Sequence, residues 1–291
     1  MGTALDDLIE LLELEQLEVN LFRGVSPDED RQRVFGGQVA GQALVAAGRT
    51  VEHGEVHSLH AYFLRPGDPQ VPIVYDVDRI RDGRSFTTRR VVAIQHGRAI
   101  FNLAASFHVA EPGPEHQRPM PEAPDPESLS TFQEKLAPYL DRFSPAMADW
   151  LRRERPIDTR SAGLPHWVDP VPREREPRQQ VWIKANGALP DDPLLHACVV
   201  AYASDLTLLD TAVMPHTSSW DDEHFMIASL DHAMWFHRPF RADEWLLYDQ
   251  NSPSVQGARG LAEGFIFRRD GGLAITVIQE GLVRPLHPEP A

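Results

Sequence analysis

FGGQVAGQALVAAGRTV (residues 35–51) and DPLLHACVVAYASDLTLLDTAV (residues 192–213) decide how this chain folds. Each reads as a helix built mainly from Ala, Val and Leu, with Gly added in the first, and with few charges. Such a helix is stable only where other elements cover it closely. In the first, Val39, Ala40, Ala43, Leu44, Ala46 and Ala47 carry the apolar surface, and Gly36 and Gly37 stand at its start. In the second, Pro193 falls in the first turn, where a missing N–H is harmless.

Outward from each helix, the pattern changes from helical to strand-like. Residues 56–65, 72–80, 85–95 and 98–108 follow the first, separated by the turn signals Pro66-Gly67-Asp68, Asp82-Gly83 and His96-Gly97. A strand at 178–186 precedes the second helix; runs at 226–238, 244–250, 255–268 and 272–284 follow it, with a turn at Asp270-Gly271. A helix followed by an antiparallel meander is an α+β unit rather than a βαβ unit. The unit occurs twice. Phe63-Leu64-Arg65-Pro66 is echoed by Phe236-His237-Arg238-Pro239, and His96–Ile100 by Asp270–Ala274, at an offset of about 173 residues. A short amphipathic helix at 3–14 (Leu5, Leu8, Ile9, Leu11, Leu12) precedes everything. Between the units, 109–177 holds 13 of the 25 prolines. Proline removes a backbone donor, so this segment reads as a linker with short helices near 130–137 and 144–154. The expected organisation is therefore 1–110, a linker at 111–177, and 178–291.

Asp and Glu number 43 against 28 Lys and Arg, a net charge of −15. Such a chain repels phosphate backbones, which argues against nucleic-acid binding. No uncharged apolar run approaches the roughly 20 residues of a membrane span. The start, MGTALDDLIELLELEQLE, lacks the basic and apolar blocks of a signal peptide, and the end, RPLHPEPA, carries no peroxisomal or reticulum address. The expectation is a cytoplasmic protein. A single cysteine, Cys198, excludes intrachain disulfides and a cysteine-based zinc site.

No G-x-S-x-G elbow, H-E-x-x-H helix or glycine-rich phosphate loop is present. His57 and His60 lie in a strand, where side chains three apart face opposite sides and share no metal. Cys198 lies within HACVVAY without a basic neighbour and reads as packing. Asp205 interrupts an apolar run, where a carboxylate is costly unless paired or used. Asp210, nearer the end of that run, competes with it. Ser229 and Gln279 read on their own as ordinary strand positions.

Taken together, RVFGGQVAGQAL (33–44), HSLHAYFLRPGDPQVPIVYDV (57–77) with RDGRSF (81–86), QVWIKANGALPDD (180–192) with YASDL (202–206), and SLDHAMWFHRPFRADEWLLY (229–248) with QEGLVR (279–284) resemble the acyl-CoA thioesterase II (TesB-type) family. The likeness spans nearly the whole chain apart from the linker. It implies a double hotdog fold, in which each apolar helix is wrapped by a curved antiparallel sheet. It also implies hydrolysis of medium- to long-chain acyl-CoA without cofactor or metal, and a homo-oligomer, a dimer or tetramer of double hotdogs. The family's Asp, Thr or Ser, and Gln, which hold the hydrolytic water, fall on Asp205, Ser229 and Gln279. Ser stands where many members have Thr, and the hydroxyl is kept. A developing oxyanion needs a donor, and the start of the first apolar helix offers backbone N–H groups around Gly37 and Gln38. Arg65, Arg81, Arg84, Arg90, Arg238 and Arg259 are candidate partners for CoA phosphates, or simply solvated strand arginines.

Two other readings remain in view. A hotdog enoyl-CoA hydratase would use an Asp and a His five apart at a helix start, and Asp191 and His196 have that spacing, though without the surrounding Gly-Asp-x-Asn-Pro. A non-catalytic acyl-CoA sensor would need a basic DNA-binding segment, which is absent.

Overall fold

The computed structural model describes residues 2–27, 32–168, 175–216 and 225–286. Helix α1 (Ala4–Leu12) starts in a capping box between Thr3 and Asp6 and buries Leu5, Leu8, Leu11 and Leu12. Strands β1 (Glu15–Glu18) and β2 (Leu21–Gly24) form a hairpin that the sequence pattern did not disclose. Helix α2 (Gly36–Gly48) precedes the first meander: β3 (Glu55–Phe63), β4 (Ile73–Asp82), β5 (Phe86–Gln95) and β6 (Arg98–His108). The proline-rich stretch contributes α3 (Phe132–Leu136), α4 (Pro145–Arg152) and β7 (Ile157–Ser161). The second unit holds β8 (Arg178–Ala185), α5 (Pro193–Ser204), the short α6 (Asp210–Val213), β9 (Phe225–Ser229), β10 (Asp231–Phe236), β11 (Leu246–Gln256), β12 (Arg259–Arg268) and β13 (Leu273–Pro285).

The architecture is α+β, a double hotdog. Among the described residues, all 13 strands join one antiparallel sheet in the order β1-β2-β4-β5-β6-β3-β10-β13-β12-β11-β8-β7, with β9 pairing β13. The two units meet where β3 pairs β10, Leu59 opposite Met234. One shared core joins Leu44, Leu59, Tyr75 and Phe101 of the first unit to Val199, Met234, Tyr248 and Ile266 of the second.

Helices α2 and α5 lie antiparallel at the centre of that core. A methyl on Gly37 would collide with the Tyr202 carbonyl oxygen, one on Gly41 would stand 3.2 Å from that of Cys198, and one on Gly48 would strike Leu194. Missing side chains therefore let the two backbones touch. The ring of Phe35 meets that of Tyr202 edge to face at 5.1 Å and fixes one end of the pair. The start of α2 is thereby placed against the end of α5.

Three expectations change. The helix read over 192–213 is two helices: α5 stops at Ser204, and five residues of turn precede α6. The run 226–238 breaks at Leu230, whose N–H bonds Glu280 and whose carbonyl bonds Phe63. Strands read as 244–250 and 255–268 are β11 and β12, with the turn at Gly257-Ala258, both at φ 59°. Pro253 does not end β11, because an irregularity between Asn251 and Ser254 absorbs its missing N–H.

The proline-rich segment is not a bare tether. Met120, Ala123 and Leu129 pack against Trp182, Trp245 and Phe267, and Trp182 Nε1 donates to the Pro124 carbonyl at 2.8 Å. Leu136, Leu151 and Val168 form a small core of their own with Trp150 and Trp167. Among the described residues no helix is long and apolar enough to cross a membrane.

Candidate active site

Asp205 does not lie inside a helix, as the apolar run suggested. It is the C-cap of α5, with φ −88° and ψ 0°. Because α2 and α5 are antiparallel, this cap abuts the start of α2: a methyl on Gly36 would stand 2.6 Å from Asp205 Oδ2, and the Gly37 N–H donates to the carboxylate. Gln279, on β13, donates from Nε2 to Asp205 Oδ1 at 2.6 Å and to Ser229 Oγ at 2.9 Å. Ser229, the last residue of β9, donates to Asp205 Oδ1 at 3.3 Å. Three side chains that are 24 to 74 residues apart thus close a triangle beside a helix start.

Gln279 faces inward and is fully buried, not the outward polar position that a strand glutamine suggests. Its Oε1 is buried and has no hydrogen-bond partner among the described residues. Burial raises the Asp205 carboxyl to about 6; the hydrogen bonds from Gln279, Ser229 and Gly37, and the charge of Arg33, oppose that rise. Arg33 was not singled out from the sequence, since a lone arginine before Gly-Gly carries no periodic signal. Its guanidinium donates to the Ile227 carbonyl at 3.1 Å, which holds it near the carboxylate.

The oxyanion candidates divide. The first-turn amides of α2 receive no side-chain cap from Phe35, but that of Gly37 is engaged by Asp205. The Gln38 side chain is buried and spent on the Val25 carbonyl and Ser26 Oγ, so its backbone is all it can offer.

Beside the triangle opens a cleft of about 1320 Å³ between the central helices and the proline-rich segment. Phe35, Gln38, Tyr202 and Leu206, neighbours of the triangle, lie on its wall; Asp205, Ser229 and Gln279 do not. Of the six arginines proposed for the CoA phosphates, only Arg81, Arg90 and Arg259 lie within strands, and none of the six reaches the cleft. Arg33, Lys135, Arg155, Arg175 and Arg178 do. Asp210 also lines this cleft. Burial lifts its carboxyl to about 7, and among the described residues no hydrogen bond holds that carboxyl.

The other candidates lie elsewhere. Asp191 pairs with Arg241 at 2.9 Å, and His196 Nδ1 accepts the Ala242 N–H at 3.0 Å. His196 is nine residues before Asp205, about 14 Å along α5. A bulge in β3 between Val56 and Ser58 breaks the alternation around His57, which bonds Ser106 Oγ, while His60 packs edge-on against Trp235. No group of three or more His, Cys, Asp or Glu side chains gathers as for a metal among the described residues. Cys198 is fully buried, and burial pushes its thiol up, far from a thiolate at neutral pH. Cys198→Ala should keep wild-type turnover and lose about 1–2 kcal/mol of stability, checked by denaturant melts and steady-state rates. A folded but inactive variant would reverse the reading of this thiol.

Comparison with known proteins points one way. A family model described as acyl-CoA thioesterase matches residues 167–282, and one described as the acyl-CoA thioesterase N-terminal domain matches residues 26–108. Human acyl-coenzyme A thioesterase 8 is 45% identical over 288 residues, covering 94% of this chain and 88% of the human protein. Acyl-CoA thioesterase 2 of Haemophilus influenzae is 41% identical, covering 98% of this chain and 99% of its own. The crystal structure of an acyl-CoA thioesterase II, TesB2, from Mycobacterium marinum is 48% identical, with a TM-score of 0.79 over 98% of this chain and 100% of that one.

Proposed function

The chain belongs to the acyl-CoA thioesterase family, and on that premise we propose that it hydrolyses medium- to long-chain acyl-CoA with a water held by Asp205, Ser229 and Gln279. The observation that carries the reading is the closed triangle of those side chains against the start of α2. A thioester carbonyl is already electrophilic and its thiolate leaves readily, so an oriented water and a base suffice. Asp205 is the only charged member, and it takes the proton as the water oxygen attacks. The partnerless Gln279 Oε1 accepts the water's second hydrogen, which orients a lone pair toward the carbonyl. Negative charge gathers on the carbonyl oxygen at the N-terminal end of α2, where the backbone N–H of Gln38 and the positive end of the helix dipole stabilise it, the Gly37 N–H being held by Asp205. Collapse expels the CoA thiolate, which takes up the proton held by Asp205. Free acid and CoA are released, with no covalent enzyme intermediate.

The neighbouring cleft supports medium to long chains. Its volume exceeds the range of ordinary small-ligand pockets, and Leu8, Leu11, Val25, Phe35, Tyr202 and Leu206 give it an apolar wall. The basic side chains on the same wall suit the phosphates of CoA. A homo-oligomer and a cytoplasmic location belong to the same proposal. The exposed terminal strand β1 and the exposed Tyr62, Leu64 and Phe86 offer surfaces for self-association, which sedimentation would measure.

The test is thiol release from an acyl-CoA series spanning roughly C4 to C18, a range set by the apolar tail a pocket can bury. Metal-free protein should release CoA, fastest for medium to long chains. Absence of release across the series would sink the reading, and appearance of 3-hydroxyacyl-CoA from an enoyl-CoA would favour a hydratase instead.

A further inference from the structure

Helix α5 ends at Ser204 although its apolar sequence continues, and two buried polar side chains meet at that residue. Tyr248, on β11, donates from its hydroxyl to the Ser204 carbonyl oxygen at 3.2 Å. His232, on β10, stands with Nε2 2.8 Å from Ser204 Oγ. The serine hydroxyl lies 3.0 Å from the Ala201 carbonyl, and when it donates there it accepts from the Nε2–H tautomer of the neutral imidazole. Tyr248 is 0% and His232 1% exposed. Ser204 carries the peptide that leads into Asp205.

We propose that His232 and Tyr248 are positioning residues for hydrolysis, clamping Ser204 so that the chain leaves α5 with the Asp205 carboxylate aimed at Gln279, Ser229 and the start of α2.

Three observations support the clamp. An orphan carbonyl at a helix C-terminus needs a donor, and Tyr248 supplies it where no solvent reaches. His232 Nδ1 is buried with no partner among the described residues, which costs stability that an apolar side chain would not. Such an uncompensated group beside a functional residue is expected where positioning outweighs stability. The third is Gly264 on β12: any side chain there would strike the Tyr248 ring, so the strand leaves room for the tyrosine. Burial pushes the Tyr248 phenol up and the negative charge of Asp205 adds to that rise, while burial holds His232 down at about 4; both groups therefore stay neutral at working pH. Asp231, next in chain to His232, is turned away and accepts the Glu280 N–H.

The inference rests on Asp205 being the base, and the experiment separates the two. Tyr248→Phe and His232→Leu each remove one hydrogen bond and keep most of the volume; His232→Gln keeps an N–H donor. Each is measured for kcat, KM, the pH profile and thermal melting, beside Asp205→Asn. The expected result is about a tenfold fall in kcat for Tyr248→Phe and His232→Leu, with KM within twofold. Their acid limb should move above that of the wild type, because a displaced carboxylate loses the hydrogen bonds that hold its pKa down. His232→Gln should recover much of the loss. If His232→Leu does not fold, Tyr248→Phe alone carries the test. Folded variants with wild-type kcat and an unmoved acid limb overturn the clamp, as does a loss that only tracks the unfolded fraction. An active Asp205→Asn would overturn the base assignment instead.

Discussion

Asp205→Asn should fold normally and lose roughly two to four orders of magnitude in turnover, the size typical of removing a general base. Asp210→Asn, measured on the same acyl-CoA, should stay within about tenfold of wild type, since its carboxyl bonds neither Ser229 nor Gln279. The wild-type rate should rise through about pH 6 and level off above, because the reactive form of Asp205 is the carboxylate. Stability runs the opposite way. The carboxyl binds its proton more tightly in the folded protein than in the unfolded chain, where it has its ordinary value of 3.8. Below pH 4 both states are protonated and nothing is lost; as pH climbs from 4 to 6 and beyond, the folded state bears the cost of a desolvated charge. That difference corresponds to at most about 3 kcal/mol, less because Asp205 stays partly accessible. Asp205→Asn should therefore melt at or above the wild-type temperature at pH 8, with the gap closing toward pH 4. Ser229→Ala and Gln279→Ala should each lose less activity than Asp205→Asn, and double variants should be non-additive, because on the proposed assignment the three act on one water. A dead Asp210→Asn beside an active Asp205→Asn would remove the assignment.

Gly37→Ala should do comparable damage by another route. The added methyl meets the Tyr202 carbonyl, a backbone atom in the central helix pair, so relief requires α2 and α5 to separate. Overpacking against an immobile backbone costs about 3 kcal/mol or more. The same separation draws the α2 amides away from Asp205, so turnover should fall by a hundredfold or more in whatever remains folded, a loss of about 3 kcal/mol in transition-state stabilisation. Gly113→Ala, where a methyl meets nothing within 4 Å, controls for generic effects of substitution. A Gly37→Ala protein with wild-type melting and turnover would show that the helices are not in contact there.

Helix α2 and the long strands were legible because their apolar periodicity records burial on one side or all round. The exposed hairpin strand β1 has no buried face, so it left no alternation to read. The end of α5 was hidden for a different reason. Ala203-Ser204-Asp205-Leu206 keeps an apolar helical pattern, and the stop is imposed from outside by Tyr248 and His232 on Ser204 and by Leu209 packing onto Gly281. On its own Gln279 reads as an ordinary strand position, although a signal for its burial exists. Its face holds Ile275, Val277, Gly281 and Val283, more apolar than the face of Thr276, Ile278 and Glu280. The meeting of Asp205, Ser229 and Gln279 was not legible from spacing, because strand pairing and the antiparallel helix contact bring them together; only the family resemblance named them as a set.

The helix pair has two ends, and they are not equivalent. At one end the cap of α5 is Asp205, beside the start of α2. At the other, the cap of α2 is Arg49, where Gly48 meets Leu194 near the start of α5. Arg49 turns away to the Leu14 carbonyl and Glu13. A guanidinium cannot serve as a base, so the pseudo-symmetric position carries no counterpart of the carboxylate. On the proposed assignment, the duplicated fold has the stoichiometry of one reaction centre per polypeptide rather than two. The N-terminal half supplies that centre with backbone and the C-terminal half supplies its side chains, so neither half alone amounts to half an enzyme.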